Sequence, residues 1–279
     1  MDTETQYTDN SWETEHARVC ALIDRSAFLS NVRAMHDALP EGTGICAVIK
    51  TDAYGLGAVP LAKLLEDMPG IRGYAVATAD EAMELREAGL NKPILILGYV
   101  FPADLDRLIL NDVRFSVFRY DTLEELSQRV TRLRAKGHDV AAKVHVAVDS
   151  GMSRIGVFPD ESGLSFIEEV LKTEGVEPEG IFTHFAGADE EDLTDAKERF
   201  LKFSHFVNEA EKLPGMDKLK KPVIRHCANS ASIIDMPEAH MDMARAGISM
   251  YGMWPSDEVS RDRVCIKPVM SLISHISYI

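Results

Sequence analysis

Short apolar runs rich in β-branched residues alternate along this chain with longer stretches whose apolar positions recur three and four apart, the pattern of repeated βα units. The strand-like runs are 19–23, 45–51, 73–77, 93–99, 114–118, 142–149, 180–185, 223–227 and 243–248, nine in all and one more than a closed eight-stranded barrel needs. Between them, segments such as 121–136 and 195–213 set apolar residues on one face and charges on the other, as helices packed on a sheet do. Asp80 ahead of Glu81-Ala-Met-Glu-Leu-Arg86 reads as an N-cap and Gly89 as a stop. Near-continuous apolar strands joined by such helices imply a parallel sheet covered by helices. Periodicity alone does not separate a closed barrel from an open doubly wound sheet.

The polar residues suited to chemistry fall where strand-like runs end: Lys50, Arg154, His184, Asn229, Ser230 and Arg245. A (β/α)8 barrel builds its active site from strand ends and the loops that follow. This distribution therefore favours an α/β fold of the (β/α)8, TIM-like barrel class. Lys50 closes the apolar run Ile45-Cys-Ala-Val-Ile49, where an amine is costly to bury unless it is paired or put to covalent use. Alone it would read as a lysine snorkelling to the surface. Tyr54 with Gly55 and Gly57 just beyond turns the reading toward a functional site.

Composition narrows the partners. With 46% hydrophobic, 27% charged and 7% aromatic residues, the chain reads as an ordinary globular protein with a large core. A net charge of −15 disfavours nucleic acid and anionic membrane surfaces, both of which need clustered positive charge. Cys20, Cys46, Cys227 and Cys265 are far apart and form no C-x-x-C pair, so neither a metal site nor a disulfide framework is expected. The acidic start lacks the features of a secretory signal. The longest apolar stretch, 93–103, falls well short of the roughly 20 residues that span a bilayer. A cytoplasmic location without membrane contact is the expectation.

The segment Ala47-Val-Ile-Lys-Thr-Asp-Ala-Tyr-Gly-Leu-Gly57 resembles the cofactor-attachment motif of alanine racemases. Four further segments resemble that family in order: Val148-Asp-Ser-Gly-Met-Ser-Arg-Ile-Gly156, Thr183-His-Phe-Ala186 with Ala188-Asp-Glu190, His226-Cys-Ala-Asn-Ser-Ala231, and Arg245-Ala-Gly-Ile-Ser-Met-Tyr-Gly252. The resemblance implies a barrel that binds pyridoxal 5'-phosphate (PLP) and racemises a small amino acid, alanine foremost and serine next. It makes Lys50 the residue that carries PLP and acts as a base. It assigns Tyr54 and Ser230 to the phosphate through their hydroxyls, joined by the N–H groups of Gly247 and Ile248. Arg245 is implied at the pyridine nitrogen, His184 as the residue that orients Arg245, and Asn229 as a further donor around the cofactor. Arg154 is implied at the substrate carboxylate. A guanidinium donates a hydrogen bond without surrendering its proton, so the ring nitrogen would stay largely unprotonated. Structural readings stand beside these: a packed tyrosine for Tyr54, a satisfied core histidine for His184, a surface ion pair for Arg154.

The sequence departs from the family in two places. Many relatives carry a lysine two positions before the aspartate of the Asp149 motif, where its carbamate holds the arginine; here the residue is Ala147, and Arg154 is expected to depend on water or a bound anion. The resemblance also implies a second base, a tyrosine of a C-terminal β domain donated by the partner subunit of a homodimer. Residues 268–279 resemble only the opening strand of that domain, and Tyr278 lacks the following glycine and falls too early to be that base. The expected organisation is a polar lead over 1–14, a PLP-binding barrel over 15–260 and the beginning of a truncated β domain over 261–279. Run 19–23 resembles the family's leading strand, which explains the ninth run; both it and the last segment are expected to lack partners. Two other readings follow: a PLP-binding module with little or no turnover, and a decarboxylase on the same fold. Barrel decarboxylases place a carboxylate rather than an arginine at the ring nitrogen, which argues against the latter.

Overall fold

The computed structural model describes residues 18–276 and Tyr278, so the expected polar lead over 1–14 lies outside the described residues. Strand β1 (Val19–Ile23) stands apart from eight parallel strands: β2 (Gly44–Val48), β3 (Ile71–Val76), β4 (Ile94–Ile96), β5 (Val113–Val117), β6 (Ala142–Ala147), β7 (Val176–Phe182), β8 (Ile224–His226) and β9 (Met243–Ala246). Strands β2 to β8 pair in chain order and β9 returns beside β2. The ring closes between β8 and β9, where Asp242 N–H donates to Arg225 O at 3.2 Å and Arg245 N–H donates to Ala228 O at 2.9 Å. Those bonds decide what periodicity left open: the sheet is a closed (β/α)8 barrel.

Every residue of β2 is buried, because one face meets helices and the other meets the barrel interior. Its alternate residues accordingly enter two cores. Ile45 and Ala47 join the large cluster between sheet and helices, with Phe28, Tyr74, Phe115 and Phe166. Cys46 and Val48 join a small one with Ala75 and Met243. The inner cluster is small because much of the interior is polar: Arg114, Ser116, His145, His226 and Arg245 are all buried.

The outer helices follow their sequence cues. Helix Glu161–Lys172 is capped by Asp160, which accepts from Ser162 and Gly163 N–H, and it buries Phe166, Ile167 and Val170 at spacings of one and three. Helix Ala79–Glu87 starts earlier than Asp80 suggested. Thr78 is the N-cap and Glu81 completes a capping box with it, leaving Asp80 in the first turn, where a negative charge suits the helix dipole. Strands β2, β4 and β9 are shorter than the apolar runs that announced them, whereas β7 begins before its run. Among the described residues no helix is long and apolar enough to cross a membrane.

Segment 19–23 and the described part of 268–279 do not lack partners as expected. Strand β1 pairs antiparallel with β10 (Met270–Ser274), Val19 facing Ser274 and Ile23 facing Met270. The pairing follows from the path before β10, which buries Val259, Val264 and Val269 on the barrel. Buried Asn31 clamps that path at Lys267, donating to its O and accepting from its N–H, both at 2.8 Å.

The closing seam is braced by an ion pair. Asp242 accepts from Arg225 N–H and Nε at 2.8 Å and from Nη2 at 2.9 Å. Burial raises the Asp242 carboxyl, but the Arg225 hydrogen bonds and charge outweigh it, and the net shift is downward. A depressed carboxyl contributes stability that is complete above the unfolded value of roughly 3.9 and is lost as pH falls through the lower folded value. With 35% and 38% of the two side chains exposed, Asp242→Asn should cost only about 1 kcal/mol at neutral pH. Urea unfolding at decreasing pH should show this gap closing on the acid side; a gap that persists there would mean the charge is not its source.

Candidate active site

The chain leaves β2 and at once reverses its handedness. In the Lys50–Gly55 turn, Thr51, Asp52, Ala53 and Tyr54 have φ of 52°, 53°, 51° and 57°. Left-handed helical backbone costs L-residues roughly 1–2 kcal/mol each, so this turn carries about 4–8 kcal/mol of strain. Surroundings that over-determine the conformation must hold it. The Glu81 carboxylate accepts Thr51 N–H at 2.8 Å on Oε1, and Ala77 and Thr78 N–H at 2.7 and 3.2 Å on Oε2. Asp52 Oδ1 accepts Ala58 N–H at 2.7 Å. The Tyr251 ring lies 4.9 Å from that of Tyr54, and its hydroxyl donates to Val48 O at 2.7 Å. Lys50 and Tyr54 thereby line one cavity of about 530 Å³ at the C-terminal mouth of the barrel. Lys50 Nζ makes no hydrogen bond or ion pair with any described residue.

Arg245 lines the floor of the same cavity and is 4% exposed. Its Nη1 donates to His226 Nδ1 at 2.9 Å and His226 O at 3.0 Å. Its Nη2 donates to Thr183 O at 2.7 Å and lies 3.3 Å from both Cys227 O and His184 Nδ1. All four terminal N–H bonds are thus directed into the protein, and Nε–H is the donor left over. Because a guanidinium does not accept, His226 Nδ1 must be unprotonated and its proton must sit on Nε2, which donates to His145 Nδ1 at 2.8 Å. One cation therefore fixes the tautomers of two successive histidines. Burial first, and the neighbouring arginines second, push His145 down to about 3; burial, then Arg245, Arg154 and Lys50, do the same to His184. His226 is lowered well below its usual value by burial, His145 and Arg245. Burial brings Arg245 itself down to about 10, still protonated at neutral pH. Phe182 completes the floor, its ring stacked on His226 and 5.4 Å from the guanidinium carbon.

A cluster of hydroxyl and amide groups faces this floor. Ser230 Oγ accepts Gly247 N–H at 2.9 Å. A Cβ on Gly247 would stand 3.1 Å from Tyr54 Oη and 3.8 Å from Ser230 Oγ, so glycine keeps the space between them open. Ile248 lines the cavity beside them. Asn229 lines it too, but its Oδ1 caps the helix Ser230–Asp235 by accepting from Ser232 N–H, which leaves its amide nitrogen free for a ligand. Arg154 comes from the loop after β6, where Asp149 Oδ1 accepts Gly151 and Ser153 N–H at 3.0 and 2.9 Å. It is exposed, lines the cavity and has no hydrogen-bond or ion-pair partner among the described residues; Ala147, also in the lining, offers none.

All nine residues singled out from sequence, Lys50, Tyr54, Arg154, His184, Asn229, Ser230, Arg245, Gly247 and Ile248, line this one cavity. Sequence reasoning missed His226, His145, Glu81 and Tyr251. His226 stood inside a recognised motif without a role, and its place at the end of an apolar run was the available signal.

A family model described as "Alanine racemase, N-terminal domain" matches residues 23–255. The alanine racemase of Desulforamulus reducens is 38% identical over 261 residues, covering 94% of this chain and 68% of that protein. The alanine racemase of Desulfovibrio desulfuricans is 41% identical over 261 residues, covering 94% and 67%. Among solved structures, alanine racemase from Clostridium difficile 630 superposes with a TM-score of 0.84 at 36% identity, covering 93% of this chain and 65% of that one. The chain therefore spans about two thirds of the length of the relatives it matches. Family match, identity and fold agree, and the chain belongs to the alanine racemase N-terminal domain family.

Proposed function

We propose that this chain is the PLP-binding barrel of an amino-acid racemase whose substrate is small, alanine first and serine second. The observation that carries the reading is the meeting in one cavity of an unpartnered amine, a space kept open between the Tyr54 and Ser230 hydroxyls at Gly247, whose N–H donates to Ser230, and a buried guanidinium with one donor to spare. PLP needs a lysine, an anion cradle and a group at its pyridine nitrogen, and the residues present fit each requirement. Lys50 would hold it, Tyr54, Ser230, Gly247 and Ile248 would take the phosphate, and Arg245 would donate to the ring nitrogen. The relative from Bacillus anthracis is solved with bound L-Ala-P and one from Clostridium difficile with cycloserine, which supports a site of this kind.

When bound, PLP supplies a sink for the electron pair left as a proton leaves the substrate α-carbon. Lys50 moves that proton on one face. Arg245, cationic at neutral pH and fixed through both terminal nitrogens, would donate to the ring nitrogen while keeping its own proton, which would leave PLP a weak sink suited to racemisation over decarboxylation. Arg154 offers its unengaged fork to the substrate carboxylate, and Asn229 offers its amide nitrogen. The whole protein acts in this reading as a cytoplasmic homodimer, with a partner tyrosine serving the other face. The same reading divides the chain into a barrel over 15–260 and the start of a β domain from 261.

A second reading, that the 279-residue chain alone binds PLP with little turnover, is favoured by one observation. His184, the imidazole in the cavity lining, has its acceptor nitrogen turned to Arg245 and held at about 3, so it does not supply a second base. The isolated chain should colour with PLP yet form D-alanine at no more than about a thousandth of the full-length rate; a normal turnover number would dismiss this reading.

In the full-length protein, Lys50→Ala should abolish borohydride trapping of the cofactor and lower racemisation by about 10³-fold or more. Retention of both trapping and turnover would reject Lys50. Arg154→Lys should raise KM for the amino acid about tenfold with a smaller fall in kcat, because a point charge replaces a two-pronged donor. Steady-state kinetics showing an unchanged KM would remove Arg154 from the carboxylate.

A further inference from the structure

The two ends of the left-handed turn are held by different means. Lys50 is anchored from the sheet, since Ile49 N–H donates to Ala75 O at 2.9 Å and Val48 is tied to Tyr251. Tyr54 sits at the far end, where its ring packs on that of Tyr251 at 4.9 Å and no strand bond holds its backbone, so its backbone position follows from the intervening strained residues. Within the turn, Ala53 N–H reaches Ile49 O and the Thr51 hydroxyl reaches Lys50 O, but Thr51 N–H, on the first left-handed residue, goes to Glu81. Glu81 is in turn fixed to the end of β3 through Ala77 and Thr78. Its carboxylate thus does more than a helix cap requires: Oε2 serves the cap, while Oε1 reaches into the neighbouring βα unit.

We propose that Glu81 is a positioning residue for the phosphate of the cofactor: by holding Thr51 N–H it fixes the handedness of the turn and so the place of the Tyr54 hydroxyl in the cradle. This rests on the PLP reading above. Glutamine separates the two tasks of the side chain. It supports a capping box with its carbonyl oxygen, but it then turns an NH2 group toward Thr51 N–H, donor against donor.

The test is a PLP titration of the wild-type chain and of Glu81→Gln, followed by absorbance and by borohydride trapping, with phosphate-free pyridoxal as a parallel probe. Glu81→Gln should weaken PLP about tenfold, the loss of one charge-assisted bond, and leave pyridoxal within about twofold. In a Tyr54→Phe background the same change should weaken PLP less than about twofold, because the hydroxyl it positions is gone. In the cofactor-free chain, hydrogen exchange should quicken over residues 50–57 while the thermal midpoint stays within a few degrees of wild type. Equal weakening of PLP and pyridoxal, full additivity with Tyr54→Phe, or PLP binding as tight as wild type would each overturn the role of Glu81 alone. If the wild-type chain forms no trapped adduct, the functional reading fails and this inference with it.

Discussion

The guanidinium of Arg245 is the point on which the barrel interior turns. It sits in a space where a lone cation would be prohibitive to bury, and it is tolerated because three carbonyls and two imidazoles surround its terminal nitrogens. The dependence runs both ways. Thr183 and Cys227 lie where β7 and β8 give way to their loops, and Arg245 is itself in β9, so the same bonds tie together the strand ends at which the barrel closes. Removing the guanidinium would leave several buried acceptors unpaired at once, each costing about 1–3 kcal/mol. The guanidinium that prepares the cavity floor therefore also ties the strand ends beside the backbone bonds that close the sheet.

The neighbours of Arg245 are neutral, and that choice shapes the chemistry. An imidazole accepts from the guanidinium without adding a negative charge, and burial keeps His184 and His145 neutral far below physiological pH. A carboxylate in the same place would pair with Arg245 and cancel the field it presents to the cavity. With neutral partners the positive charge survives without an ion pair among the described residues, and Nε–H is the donor left without a partner. His226 carries the consequence one step into the barrel, since it passes to His145 the proton orientation that the arginine dictates.

Sequence alone disclosed the strands, the helices and nine of the residues that line the cavity, because each depends on local period or on motif. The features it concealed depend on distant partners. Nothing in Thr51-Asp-Ala-Tyr54 favours a left-handed conformation; only Gly55 and Gly57 hint at one, and the decisive carboxylate lies thirty residues on, at Glu81. Barrel closure was legible only through the functional residues gathered at strand ends and not through periodicity, because it rests on backbone bonds between Arg225 and Asp242 and between Ala228 and Arg245. Thr78 displaced Asp80 as helix cap because Glu81 sits three residues after Thr78, a spacing that outweighs the greater capping strength of aspartate. The pairing of β1 with β10 was missed because it is set by the return path over the barrel that Asn31 clamps at Lys267.

The cavity also stands against the electrostatics of the whole chain. In a protein of net charge −15, Lys50, Arg154 and Arg245 meet in one lining with Asp189 as its carboxylate. Field lines from such a cluster concentrate in a concave, partly desolvated space and draw anions to it. Two of the three cations have no hydrogen-bond or ion-pair partner among the described residues, so a doubly anionic occupant, phosphate at one end and carboxylate at the other, would meet charges not already satisfied. Their freedom has a consequence that differs between them. Lys50 is held from the sheet, whereas Arg154 projects from a loop, lines the cavity with Ala147, and has no hydrogen-bond or ion-pair partner among the described residues to order its fork before a ligand arrives. Ordering a long side chain on binding costs up to about 2 kcal/mol. Under the proposed function that cost would fall on capture of the carboxylate rather than on the later movement of a proton, which places the arginine's expected contribution in KM.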